Sequence, residues 1–236
     1  MRNIFLCLYL LFCFSISGQS IHQIEVKYEV HIFKNEESEF EKMISGFGDI
    51  YEAAKEVDFT LLCNDQESLF FENEKKYSSN SLVSFSLIHT GYLGRVKQKN
   101  NINYVENERN HKAIVTHNNH NWQLVNEQKT IDNYVCYKAV ATYTYHNESI
   151  DKTFHFPAEV WYAPELNFPF GPNGQGGLPG LILEYKIKNV VYGATEVKFH
   201  KEKMEIPALN NYPHYTFEEF DRMIGEMNKH RLNNNQ

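Results

Sequence analysis

The sequence predicts an α+β domain: one strongly curved antiparallel β-sheet holding a helix in or on its concave side, with a second helix at the C-terminus. Three observations lead there. Apolar residues alternate with polar ones through a series of short segments, as a sheet with one wet face requires. Two other stretches repeat their apolar residues at three and four positions, the spacing of a helix face. The chain also carries 15 Tyr and 17 Phe, side chains that suit the half-buried surface of strands.

Ile24, Val26, Tyr28, Val30 and Ile32 alternate with Glu25, Lys27, Glu29 and His31, which predicts the first strand. Between 36 and 56 the period changes: Phe40, Met43, Ile44, Phe47, Ile50, Tyr51 and Ala54 predict a helix, weakened in its middle by Gly46 and Gly48. Alternation returns at Val57, Phe59, Leu61 and Cys63, and shorter runs at Ser68–Glu72, Leu82–His89, Ile102–Val105, Ala113–His117 and Trp122–Val125 read as strands. Tyr134–Tyr145 is the longest strand candidate. A turn at Asn147–Asp151 pairs it with Thr153–Tyr162, where Pro157 marks a bulge or an edge. Leu181–Lys188 and Val190–His200 follow as strands. Thr216 and Glu219 form a capping box, Tyr215 and Phe220 a hydrophobic staple, for a final helix whose apolar face is Phe217, Phe220, Met223, Ile224 and Met227. No repeat or boundary divides residues 19–236, which read as one domain.

Residues 1–18 have the plan of a secretory signal: Arg2, an apolar run from Ile4 to Phe14, then Ser15, Ser17 and Gly18. The run is shorter than the roughly 20 residues a spanning helix needs. Cys13 follows Phe12, which argues against lipidation, and no other apolar segment is long enough to span a bilayer. An exported protein of the periplasm or outer envelope is therefore expected. The net charge is −7 over the whole chain, and one unit more negative without Arg2. Nothing in it attracts nucleic acid. Cys63 and Cys136 outlast the signal. They form either one disulfide, worth about 4 kcal/mol for a loop of this length, or two buried free thiols.

The densest special backbone lies between 171 and 180, which holds five of the 12 glycines and two of the seven prolines. Leu178-Pro179-Gly180-Leu181 reads as a type II turn. It is either a rigid rim over a concave apolar face or a tight corner feeding a buried strand. No Lys-Ser or Lys-Thr and no helix follow, so it is not a phosphate cradle. The six residues Gly177, Leu178, Pro179, Gly180, Leu181 and Ile182 spell a family signature. With Trp122, Lys129-Thr130-Ile131, Tyr134-x-Cys136-x-Lys138-Ala139, Trp161-Tyr162-Ala163-Pro164-Glu165, Phe170-Gly171-Pro172 and Leu183-Glu184-Tyr185, the chain resembles the GLPGLI family, exported proteins of Bacteroidetes bacteria. The resemblance implies export and a β-rich fold. It brings no assigned activity, and hence no catalytic residue. The expected sheet is also similar to the half-barrel of periplasmic lipoprotein carriers, a likeness of fold alone.

No Gly-x-Ser-x-Gly, His-Glu-x-x-His or Cys-x-x-Cys motif occurs. His111, His117 and His120, or His146 and His155 across the hairpin, invite a metal reading, but His111 and His117 lie roughly 20 Å apart on an extended run, the hairpin pair has no evident third ligand, and surface histidines account for all of them. Glu159, Glu165 and Glu184 lie near the motif, with Glu165 the best acid candidate; Cys136 has the setting of an ordinary strand thiol. Trp161, Tyr162, Phe168, Phe170 and Leu178 are either core or the lining of a pocket for an apolar or peptide ligand. The sequence thus predicts a non-enzymatic binder or chaperone of an apolar ligand or envelope partner, without metal or cofactor, acting through the concave face near residues 161–182. Two alternatives are an envelope hydrolase using Glu165 or a histidine, and a structural subunit of an outer-membrane assembly. Converging polar groups would mark the hydrolase, an apolar concavity the binder, and an exposed apolar patch the subunit.

Overall fold

The computed structural model describes residues 23–34, 49–73, 81–108, 111–118, 121–147, 151–202 and 205–234. The segment 1–18 read as a secretory signal, most of the helical stretch expected between 36 and 56, and His120 lie outside them. The first strands are β1 (Gln23–Ile32), β2 (Asp58–Asn64), β3 (Glu67–Glu72), β4 (Val96–Lys99), β5 (Ile102–Asn107) and β6 (Ala113–Asn118). Then come β7 (Gln123–Ile131), β8 (Tyr134–Asn147), β9 (Lys152–Ala163), β10 (Leu181–Ile187), β11 (Val190–His200) and β12 (His214–Thr216). These 12 strands make one open sheet in the order β12-β6-β5-β4-β3-β2-β1-β11-β10-β9-β8-β7. The β12–β6 pair is parallel, and every other pair is antiparallel.

The register explains the curl. Ile24, Val26 and Tyr28 sit opposite Cys63, Leu61 and Phe59, so the inward residues of neighbouring strands share one apolar face. Phe70 in β3 and Tyr192 in β11 stand three strands apart, roughly 14 Å on a flat sheet. Their ring centroids are 6.0 Å apart, because the sheet bends toward this face. Phe59 stacks on Phe70 at 5.0 Å and meets Tyr92 and Tyr192 edge-on. Asn100 and Asn101, between β4 and β5, both take positive φ, as a two-residue hairpin with the twist of its strands demands. Pro157 lies just past Ala158, the last β9 residue paired to β10, so it does sit at an edge on that side.

Three helices complete the described residues: α1 (Ile50–Ala54), α2 (Ser81–His89) and α3 (Phe217–Asn234). Asp49 caps α1 by accepting from the N–H groups of Tyr51 and Glu52. α1 packs on α2 and β1. The expected strand at Leu82–His89 is instead α2. Its buried positions Val83, Ser86 and Leu87, with Thr90 just past its end, are spaced as one helical face. Two of the four are polar, and their hydroxyls donate to the helix's own carbonyls at Val83 and Leu87. That back-bonding conceals a helical stripe from any reading of hydropathy. The C-terminal helix starts as expected. The Thr216 N–H donates to Glu219 Oε2 at 2.8 Å, the Glu219 N–H to Thr216 Oγ1 at 3.2 Å, and the Tyr215 and Phe220 rings lie 6.2 Å apart. No helix among the described residues is long and apolar enough to cross a membrane.

One buried ion pair holds the strap before β12. Glu106 in β5 is fully buried and accepts a bidentate pair of bonds from Arg95, and its Oε1 also accepts from the Asn210 N–H at 2.7 Å. Arg95 Nη1 donates to the Ala208 carbonyl at 3.3 Å. Removing the guanidinium leaves an uncompensated buried carboxylate, so Arg95→Met should lower the unfolding free energy by about 3–5 kcal/mol. Lys55→Met, at the exposed Lys55–Glu52 pair, should change it by less than about 1 kcal/mol. Urea titrations of the two variants check the contrast; similar losses would remove the pair's special role.

Candidate functional site

The chain leaves β9 at Ala163 and enters β10 at Leu181, and the residues between fold back on themselves. The Leu166 N–H donates to the Ala163 carbonyl, the Gly177 N–H to Pro169, the Leu181 N–H to Leu166, and the Ile182 N–H to Phe170, all between 2.9 and 3.1 Å. The expected type II turn is not formed. The Gly180 N–H bonds the Leu178 carbonyl at 2.8 Å, closing a three-residue turn on Pro179. Leu181 is already turned toward Leu166 and cannot also bond Leu178. Gly180 has φ +151°, and a Cβ there would stand 2.3 Å from the Ala163 carbonyl oxygen. At Gly176 a Cβ would meet Gln98 Oε1 at 2.5 Å and the Pro169 carbonyl at 2.7 Å. Glycine is required at both places by close backbone approach.

The same loop reaches both halves of the sheet. Gln98 in β4 donates to the Gly174 carbonyl at 3.3 Å, and Trp122 Nε1 donates to the Gly176 carbonyl at 3.1 Å. Tyr143 in β8 donates to Gln175 Oε1 at 2.9 Å, with the Tyr185 hydroxyl 3.0 Å away. Burial pushes the Tyr143 hydroxyl up to about 12. Leu166, Phe168, Phe170 and Leu178 join the main core. Of the two readings of Trp161, Tyr162, Phe168, Phe170 and Leu178, core or pocket lining, the structure shows all five buried, with the loop packed on the face toward which the sheet curls. Phe170 also borders a cleft of about 640 Å³ that is otherwise lined mostly by polar turn residues. Trp161 lies on the outer face, its ring covered by Lys129 and Lys138 at 4.5 and 5.6 Å.

The acids near the motif are tied to lysines. Lys129 donates to both Glu184 oxygens at 2.8 Å, and Lys138 lies 2.9 Å from Glu159, which also accepts from Trp161 Nε1. Burial opposes ionisation of Glu159, but Lys138 and the indole outweigh it and hold the carboxyl below its usual range. Glu165 is exposed. His146 and His155 do not face each other: the register sets them opposite Thr153 and Thr144, which they bond at 3.0 and 3.1 Å. Among the described residues no group of three His, Cys, Asp or Glu could hold a metal ion. Of the two cysteine readings, the structure shows free buried thiols. Cys63 sits opposite Ile24 in the core and Cys136 opposite Lys129 on the outer face. Burial raises Cys63 well above the usual thiol and Cys136 to about 11.

An open cleft that the sequence does not announce runs beside α2. It measures about 630 Å³ and is lined by Phe71, Leu87, Ile88, Tyr92 and Leu93, together with Arg95 and two glutamates. Ile88 and Leu93 are 56% and 49% exposed. The available signal was Tyr92-Leu93 set between Gly91 and Gly94, but reading Leu82–His89 as a strand hides the wall they face.

No family model matches the chain. No curated protein matches it. Among solved structures the fold is similar to PNGF-II in its P21 crystal form, with a TM-score of 0.50 and 17% identity over 86% of this chain and 33% of that one. The C2 form gives a TM-score of 0.48, 17% identity and coverage of 86% and 32%. LprF from Mycobacterium bovis gives a TM-score of 0.28 at 10% identity, covering 80% of this chain and 90% of that one. The chain thus spans about a third of the length of PNGF-II, and at this identity the likeness is one of fold.

Two expectations follow from the loop and the thiols. Gly180→Val should lower the unfolding free energy by at least about 2 kcal/mol, while Gly193→Ala, which meets open space, should change it by less than about 1 kcal/mol. Equal melting curves for the two would refute the close-packed corner. A raised thiol pKa leaves little thiolate at pH 8, so iodoacetamide should label native Cys136 at least about a hundredfold more slowly than in urea. Rapid native labelling, or an unreduced mass short of two hydrogens, would contradict the buried free thiols.

Proposed function

We propose that this chain is an exported cell-envelope protein of the GLPGLI family, acting as a non-enzymatic binder or chaperone of an apolar ligand or partner protein. In this reading the sheet is a half-barrel with α1 and α2 on its concave side, and residues 1–18 are the export signal. The glycine-rich signature is structural: it spends its backbone geometry on filling the bowl. The observation that carries the binding role is the cleft beside α2. Its volume is that of a small-molecule site, and two large aliphatic side chains stand half in water at its mouth. The engagement of Glu159 and Glu184 by lysines supports the non-enzymatic side of the reading.

An anilinonaphthalene sulfonate titration tests the site. Saturable fluorescence enhancement is expected for the native protein. The Ile88→Glu, Leu93→Glu double variant, altered only at exposed positions, should weaken it by at least about tenfold. Unchanged affinity in that variant would remove the cleft as the binding site. Native purification followed by mass spectrometry of co-eluting lipid then identifies the ligand class.

A further inference from the structure

The outer face of β7–β10 carries two kinds of lysine. Lys129 lies 2.8 Å from Glu184 and Lys138 2.9 Å from Glu159, each held by a carboxylate. Lys186 and Lys188 differ: among the described residues no acidic side chain forms an ion pair with either. Both line a cleft of about 720 Å³, together with Gln123, Val140, Thr142 and Pro157. The register sets these residues on one face. Gln123, Val140, Glu159 and Lys186 form a row across four strands, and Thr142 sits opposite Pro157 in the next row. Among the described residues, the side chains of Gln123 and Thr142 make no hydrogen bond within the chain. Glu159 belongs to the same wall, but Lys138 and Trp161 Nε1 already hold its carboxylate. Lys188 takes positive φ in the turn to β11, and its ammonium stands 3.7 Å over the Phe156 ring. Although this side chain reaches solvent, partial loss of water lowers its pKa from the ordinary lysine value.

We propose that this outer-face cleft binds a phosphate group, borne by a small molecule or by a lipid headgroup. Two residues along a strand span about 6.8 Å, so the four-carbon stems of Lys186 and Lys188 bring both ammonium groups within reach of one dianion. Two point charges of this kind suit a phosphate, whereas a planar carboxylate is matched better by the fork of an arginine. Val140 and Pro157 give the body of the ligand an apolar floor, and Thr142 and Gln123 supply neutral hydrogen-bonding groups beside it. Gln123 lies three strands from Lys186, roughly 14 Å on a flat sheet, which leaves room for a body beyond the phosphate. The cleft shares no residue with the one beside α2, so either assignment can fail without the other.

Calorimetric titration of the full chain with phenyl phosphate and with benzoate, and flotation with phosphatidic acid vesicles, test the proposal. Phenyl phosphate should bind at least about tenfold tighter than benzoate, and more weakly as salt rises. Lys186→Gln with Lys188→Gln should weaken phosphate binding by about tenfold or more. Lys198→Gln with Lys201→Gln removes the same charge outside the cleft and should change it by less than about twofold. Circular dichroism confirms that each variant keeps the sheet. Phenyl phosphate binding without vesicle binding assigns the phosphate to a soluble molecule; vesicle binding that the Lys186/Lys188 variant loses assigns it to a lipid headgroup. Four results would overturn the proposal. They are binding of neither phosphate probe, benzoate bound as tightly as phenyl phosphate, undiminished binding by the Lys186/Lys188 variant, and equal weakening by both double variants, which would reduce the effect to net charge.

Discussion

The approach of Gly180 to the Ala163 carbonyl is the constraint on which the rest of the molecule depends. β9 and β10 are neighbours in the sheet, so a short hairpin would suffice to connect them. The chain instead makes a long excursion and returns to the carbonyl it left. That return is possible only without a side chain at Gly180. Once it is made, the Leu181 and Ile182 amides bond Leu166 and Phe170, and the excursion is fixed across the inner face. From there it reaches β4 through Gln98 and β8 through Tyr143, so that strands far apart in the sheet order are tied through one segment. A curled open sheet has no closing strand pair; here the loop supplies the cross-tie.

This arrangement decides where binding can occur. Phe168, Phe170 and Leu178 are consumed in filling the bowl, and the aromatic cluster of Phe59, Phe70, Tyr92 and Tyr192 fills the rest. Among the described residues, the large apolar side chains left to water are Ile88 and Leu93 at the mouth of the α2 cleft, Phe217 and Met227 on α3, Leu124, Val135 and Tyr137 near the sheet edge at β7, and Phe33 and Phe199. Beside the motif, Glu159 and Glu184 are paired with Lys138 and Lys129, while Glu165 is exposed. The glycines and prolines between 171 and 182 thus specify a backbone path.

Much of the fold was legible because period-2 alternation survives wherever one face is wet. β11 was bounded at Val190 and His200 as observed, and the capping box at Thr216 and Glu219 forms both of its bonds. Legibility failed where polar groups were satisfied locally. Ser86 and Thr90 point inward with their hydroxyls bonded to the preceding turn, so the buried face of α2 reads as polar. The turn at Pro179 was misread for a related reason: its type is set by the distant Leu166 carbonyl, not by the residues in it. Aromatic richness before the glycines signals burial, and sequence alone leaves open whether ligand or loop does the burying; in the structure the loop packs with these residues.

Native-state hydrogen exchange at the Gly177, Leu181 and Ile182 amides tests the cross-tie most directly. Each donates to a carbonyl within the excursion. If the loop is part of the core, these amides exchange only with the global unfolding that also releases the β1 and β2 amides. Exchange through a low-energy local opening, with β1 and β2 still protected, would make the loop a movable lid and contradict the account.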